Sequence, residues 1–330
     1  MSRAGRRAAF VAATLLVSAA FTYLAVRNVD FDETWAALHG LRYGWLVLAT
    51  FAFLVSIVVR TIRWQSLFER DRRPPFWATT RAMLLGLFFN SILPARAGEA
   101  VRVVALRHYA RVPLSESTAT VVVERVFDVL SLLLLLLVTA PWLPHVSWLR
   151  TAAALGVALL VVLAAAVAAI VRYGERPIRF VLRPIRLVPA FRDTDLDAIA
   201  ANVNRGLGPL RRAGHGLIGF AWTIAAWLVM ALSFWFLMIS FDLGLPFLAA
   251  LLATVAVGLA FVVPAAPAAL GVFEAAAIAA THAYGVPESE GLAFAVVLHG
   301  LNFFPYLVAG LALLAVLPTR GWLKGVQEAV

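Results

Sequence analysis

Six stretches of this chain stay apolar for long enough to cross a bilayer, at about residues 8–26, 44–62, 118–140, 148–171, 216–240 and 290–317. A helix needs roughly 20 such residues to traverse about 30 Å of hydrocarbon at about 1.5 Å per residue. No soluble fold buries that many wholly apolar helices, so the pattern predicts an all-α polytopic membrane protein. Composition agrees: 62% of residues are apolar and 14% charged, against roughly 45–50% and about 25% in soluble domains. The chain has no cysteine, which removes disulfides and thiolate metal sites from the reading. The first run follows a basic start at Arg3, Arg6 and Arg7, as in a signal peptide. Its length, and the spans behind it, make it an uncleaved first helix instead.

Two further apolar regions are interrupted. One covers about residues 77–110 and breaks between Pro94 and Gly98; the other covers about 247–285 and breaks between Val262 and Glu274. Each half is too short to cross, and irregular backbone at membrane depth is tolerated only where protein shields it or a wet cavity adjoins it. The expected fold is therefore about six full transmembrane helices plus two re-entrant broken-helix hairpins, in one integral membrane domain over residues 1–330.

The basic residues supply an orientation. With the N-terminus inside and both hairpins returning to their side of origin, most of the 28 basic residues fall in cytoplasmic segments, Arg60, Arg63 and Arg102 among them. That asymmetry is the positive-inside pattern, and it predicts a cytoplasmic (inner) membrane protein with both termini in the cytoplasm. The net charge of +10 comes from arginines that flank apolar spans, so no nucleic-acid partner is expected. The longest polar segment, about 172–215, reads as a cytoplasmic amphipathic stretch at the headgroups. Its Asp193, Asp195 and Asp197 lack the glycine of a calcium loop and are not expected to bind metal.

The interrupted regions match one another. "GLFFNSILPARAGE" from Gly86 and "GLAFVVPAAPAALGVFE" from Gly258 each lead through a short helix into a proline turn and a long apolar helix. Glu116, Arg125 and Asp128 follow Pro113 at the same spacings at which Glu290, His299 and Asn302 follow Pro287. Repeat one then covers about 76–140 and repeat two about 247–317, with an odd number of crossings between them. Such inverted repeats with paired broken helices mark many secondary transporters, whose substrate site lies near the midplane at the repeat interface.

The polar residues at the breaks are the candidate site. Gly98 suits a close backbone approach, and Arg96 can fork onto a phosphate or carboxylate, with Glu99 its partner when the site is empty. Glu124, Arg125 and Asp128 lie within about one turn and share a helix face. Charges within a span normally face an interior, either as a structural ion cluster or as contacts to an anionic head group; both remain open for these three. Gly271 and Glu274 occupy the second break. An unpaired, buried Glu274 would be protonated, whereas a helix-capping carboxylate is the plainer alternative. His299 either titrates or bonds a carbonyl, and Asn90 and Asn302 either bind substrate or join helices. No nucleophile–base pair, phosphate-cradling lysine loop or zinc spacing is present.

"NSILPARAGEAVRVVAL", "STATVVVERVFDVLSLLLL" and "ALGVFEAAAIAATHAYGVPESEGLAFAVVLHGLNFFPYLVAGLALL" resemble the flippase-like membrane domain of lysylphosphatidylglycerol synthases, over about Phe10 to Leu317. The shared motifs fall on Asn90, Pro94, Arg96, Gly98, Glu99, Glu124, Arg125 and Asp128, then on Gly271 and Glu274. The resemblance implies lipid translocation without a cofactor. In bifunctional members a separate cytoplasmic domain makes the aminoacylated lipid; here the chain ends at Val330, about a dozen residues past its last span, so no aminoacyl-transferase domain is expected. His299 stands where the family commonly has arginine, which leaves the substrate open.

The leading expectation is a non-enzymatic, flippase-like transporter of an anionic or zwitterionic phospholipid or lipid-linked head group. The alternatives are an integral membrane transferase acting on a lipid-linked substrate, and a non-transporting assembly partner of a separately encoded lipid-modifying enzyme.

Overall fold

The computed structural model describes residues 16, 19–27, 29–93, 97–142, 144, 147–182, 213–261 and 267–316. Every regular element among them is helical. Residues 19–26 are helical, and eleven helices follow: α1 (Phe31–His39), α2 (Tyr43–Ser66), α3 (Phe76–Ile92), α4 (Gly98–Ala110), α5 (Leu114–Thr139), α6 (Ser147–Tyr173), α7 (Glu175–Leu182), α8 (Ala213–Ser240), α9 (Phe247–Ala260), α10 (Val272–His282) and α11 (Glu288–Val316). Three stretches are long and apolar enough to cross a membrane: Tyr43–Ser66, Gly216–Ser240 and Glu288–Val316. α5 has 26 residues but carries Glu124, Arg125 and Asp128 near its middle, and α6, of 27 residues, includes the apolar stretch Ala154–Ile170. Most of the first apolar run, and residues 183–212 of the predicted amphipathic segment, lie outside the described residues.

Prolines set several helix starts. Pro75, Pro113 and Pro246 occupy the N-cap positions of α3, α5 and α9, and Pro287 precedes α11. A first-turn residue has no intrahelical acceptor for its N–H, so a proline near that position forfeits no bond. α1 was not foreseen from the sequence. Asp30 caps it by accepting from the N–H groups of Asp32 and Glu33 at 2.9 and 3.3 Å, and Thr34 Oγ1 donates to the Ser289 carbonyl, which ties α1 to the start of α11.

α2 and α8 lie antiparallel. The Arg42 N–H donates to the Ser240 carbonyl at 2.9 Å, and Ser233 Oγ to the Ala49 carbonyl at 2.8 Å. α3 and α4 fold back on each other with their backbones nearly touching. A Cβ on Gly98 would stand 2.0 Å from the Gly86 carbonyl oxygen and 2.5 Å from the Asn90 nitrogen; no other residue fits there. α11 crosses α3 with comparable tightness, since a Cβ on Gly310 would lie 2.3 Å from the Phe88 ring. One apolar core joins residues of α2, α5, α8, α9, α10 and α11, among them Phe53, Phe234, Phe273 and Phe294. A second, around Trp64, Leu85, Leu106 and Phe127, joins α2, α3, α4 and α5.

The two interrupted regions share their element order: α3, a break, α4, a proline turn and α5; then α9, a break, α10, a proline turn and α11. Pro94 to Arg96 in the first break and residues 262–266 in the second lie outside the described residues. After the second break a 3-10 turn, Pro267–Ala269, packs against α3. The chain reversal of one region thus rests on the other.

Candidate functional site

Six charged side chains meet among α2, α4 and α5. Glu124 Oε1 accepts from Arg63 Nη2 at 2.8 Å, from Arg102 Nη1 at 3.0 Å and from Arg125 Nη2 at 2.6 Å. Asp128 pairs with Arg63 through Oδ1 and with Arg125 through Oδ2, the latter at 3.1 Å. Glu99, in the first turn of α4, approaches Arg125 Nε at 3.5 Å. Three guanidinium groups therefore face three carboxylates, and the cluster is neutral overall.

Helical spacing accounts for half of this assembly. Glu124, Arg125 and Asp128 sit on one face of α5 as their sequence spacing requires. Arg102 lies three residues past Glu99 on α4, and Arg63 comes from the last turn of α2. The guanidinium of Arg102 stands 4.9 Å above the ring of Trp64, whose indole N–H is held by Thr120 Oγ1 at 3.0 Å. A cation over an indole face gains about 0.5–2 kcal/mol depending on its desolvation.

Burial decides what the cluster can do. The side chains of Glu124 and Asp128 are 1% and 10% exposed, whereas that of Arg125 is 40% exposed. Removing an ion from water costs several kcal/mol, which only multiple well-placed partners offset. Glu124 has three such partners on one oxygen, while its Oε2 has no hydrogen bond. Arg63 and Arg102 are sealed on every side. Arg125 alone combines three carboxylate neighbours with an open flank, and its Nε–H makes no hydrogen bond.

The sequence reading counted Arg63 and Arg102 among the basic residues of cytoplasmic segments and did not include them in the candidate site. Each is over nine-tenths buried, at 4% and 6% exposed, because a carboxylate from α5 holds it inward. Arg96 lies outside the described residues, and among those described the ion-pair partner of Glu99 is Arg125. Asn90 is half-buried in α3 beside Gly98, with its Oδ1 unbonded. No local signal singles out Arg63: in "SIVVRTIRWQS" it follows the apolar run just as Arg60 does.

The second break is built differently. Gly271, with φ +81°, is the N-cap of α10, and its N–H donates to Glu274 Oε2 at 2.7 Å. Glu274 Oε1 bonds Nδ1 of His299 on α11. Of the two readings of Glu274 the helix-capping carboxylate holds and the unpaired acid does not: a backbone N–H at its own helix end and a histidine one helix away both satisfy it. His299 likewise bonds this carboxylate and not a carbonyl. Its ring lies 4.6 Å from that of Phe273 and 6.4 Å from that of Phe303. Asn302 donates to the Leu298 carbonyl of its own helix at 2.9 Å, a local bond that joins no second helix. Among the described residues no group of three His, Asp or Glu side chains is placed to hold a metal ion.

Apolar spans, a close-packed broken hairpin and a sealed arginine–carboxylate cluster define a multi-helix integral membrane protein with fixed internal charge. The family described as the lysylphosphatidylglycerol synthase TM region matches residues 11–310, and this chain belongs to it. Among similar proteins, a UPF0104 membrane protein of Methanocaldococcus jannaschii is 25% identical over 248 residues, which is 72% of this chain and 97% of that protein. Glycosyltransferase AglD of Haloferax volcanii is 30% identical over 131 residues, 39% of this chain. The chain spans only 21% of that second relative.

Proposed function

We propose that this protein moves an anionic or zwitterionic phospholipid, or a lipid-linked head group, between leaflets of the cytoplasmic membrane, with both termini inside and no chemical step of its own. In this reading the two broken regions are re-entrant hairpins of an inverted repeat, and the head group passes where they meet. The observation that carries the proposal is the open flank of Arg125, whose side chain is 40% exposed above an otherwise sealed cluster. An arriving phosphate replaces the longest contact, that of Glu99 at 3.5 Å, and takes the fork of donors that guanidinium presents. Arg63 and Arg102 stay on Glu124 and Asp128, so the positive edge keeps its place while its counter-ion is exchanged.

The test is lipid movement in vesicles containing the purified protein and a fluorescent phosphatidylglycerol, scored by quenching from outside. Arg125→Ala is expected to lower the rate at least about tenfold, the loss of one charge-assisted contact. Arg42→Ala, which opens an exposed pair with Asp242, is expected to leave it unchanged. Equal rates for wild type and Arg125→Ala, or movement by neither, overturn the proposal.

A second reading, a transferase acting on a lipid-linked substrate, draws support from the 30% identity to Glycosyltransferase AglD. Product formation by the purified protein from a lipid-linked donor is the result that favours it. An assembly role beside a separately encoded lipid-modifying enzyme predicts co-purification with that enzyme and no lipid movement alone.

A further inference from the structure

Of the two buried ionic assemblies among the described residues, one contains a histidine. The cations of the first are guanidinium groups, which do not lose protons in proteins. The second is the pair of Glu274 and His299, and histidine is the side chain whose charge ordinarily changes between pH 5 and 8.

Few charged side chains face the pair. The one whose field acts most on Glu274 is His299. α9, which packs on α10, carries no titratable group. On α3, the charged residue is Arg81, exposed and far from the break. Elsewhere on α10 and α11, His282 and Glu290 are exposed and Glu288 stands at the helix start. Tyr306 is reached by Arg60 from α2, and the acids of α1, Asp32 and Glu33, lie exposed. The net charge of the pair is therefore set by itself, −1 with a neutral imidazole and zero with an imidazolium. The side chains of His299 and Glu274 are 11% and 13% exposed, open enough for a proton and closed to bulk water.

The pair is also mechanically placed. Glu274 closes the cap on Gly271 and so fixes the end of the turn that includes Ala268 and Ala269, both at φ +58°. That turn packs on α3, and α3 leads into the break followed by Glu99 and Gly98.

We infer that the His299–Glu274 pair is a proton-binding site that couples the passage of an anionic head group to a proton. This rests on the transport reading above. A proton from the aqueous phase adds to the imidazole and takes the pair from −1 to zero. An anion entering the junction of the two breaks meets no buried negative charge while the pair is loaded, and meets one when it is empty. By linkage, the bound anion raises the proton occupancy of the pair to the same degree. When the head group leaves on the far side, the proton leaves with it, and the pair returns to −1.

The experiment uses the full chain in vesicles with fluorescent phosphatidylglycerol, at pH 6 and pH 8, alongside 15N-histidine spectra of the same protein. Wild type is expected to move lipid on the order of tenfold faster at pH 6, the scale of effect one buried charge exerts on a neighbouring ion. In His299→Arg, whose charge is fixed, that ratio falls to about one. Subtracting the His299→Arg spectrum identifies the His299 resonance among the 6 histidines. A His299 resonance that follows pH, and shifts its midpoint in Glu274→Gln, supports the proton site; one that does not titrate overturns it. Lipid movement with the same rate at both pH values, beside a titrating His299, overturns the coupling. No lipid movement at any pH, with His299 titrating as expected, overturns the transport reading and leaves the proton site standing.

Discussion

The α3–α4 hairpin holds its polar side chains with guanidinium groups from two neighbouring helices, whereas the α9–α10 hairpin holds its own with one histidine and one backbone N–H. The element order is the same in both. What differs is where the charge is settled. In the first region three cations and three anions cancel in place, and glycine lets the two backbones touch. In the second a single carboxylate serves as both helix cap and ion-pair partner, and two alanines adopt a left-handed backbone. The lesson is that a shared chain path does not impose a shared chemistry. The first hairpin is held by guanidinium–carboxylate pairs, the second by a helix cap and a bond to histidine.

Substitutions can break this comparison. The largest effect is expected for Glu124→Ala, which leaves three guanidinium groups converging on a site without its central anion. Uncompensated buried charge costs about 3–5 kcal/mol, enough to abolish a cooperative thermal transition in detergent; retention of wild-type melting would show the cluster to be less interdependent than its geometry implies. Gly98→Ala comes next. Its methyl must displace the Gly86 carbonyl or Asn90, for about 2–3 kcal/mol of overpacking, seen as a lower midpoint in thermal unfolding. Should it melt like wild type, the tight approach of α3 and α4 is not required.

Glu274→Ala removes a cap and a partner for His299 together, and a loss of about 1–2 kcal/mol is expected. Glu274→Gln keeps an oxygen for the Gly271 N–H and should recover part of it, which chemical unfolding of the two variants side by side will show. The smallest effect belongs to Ala268→Gly. A non-glycine residue in the left-handed region costs about 1 kcal/mol or more, so relief of this strain should stabilise the protein slightly, by less than about 1 kcal/mol after the entropy of an added glycine. A destabilised Ala268→Gly would mean that the methyl packs against α3 and that the strain is compensated there.

Much of the architecture was legible in the residues. The apolar runs at 44–62, 216–240 and 290–317 reappear as the three membrane-length helices, because an apolar segment of that length has no other way to satisfy its backbone. The breaks fall where Pro94 and the Pro264–Pro267 region interrupt them, since proline removes a helical donor and constrains the residue before it. Glu124, Arg125 and Asp128 share a face because helix periodicity puts them there. Helix α1 was missed, being short, only moderately apolar and tied to Ser289 by bonds with no local signature.

Other features depend on distance in space and have no local signature. Arg63 and Arg102 read as ordinary basic residues after apolar runs, and nothing along either helix says that a carboxylate on α5 will draw them inward. The capping role of Glu274 was legible, but its pairing with His299 was not, because that partner lies on α11, 25 residues on. Sequence alone determined which segments are helical, where they break and which charges share a helix face, since these follow from backbone hydrogen bonding and the pitch of a single helix. Only the tertiary structure decided which charges neutralise one another and which flank of Arg125 stays open, because electrostatic pairing is a property of helices brought together and not of any one of them.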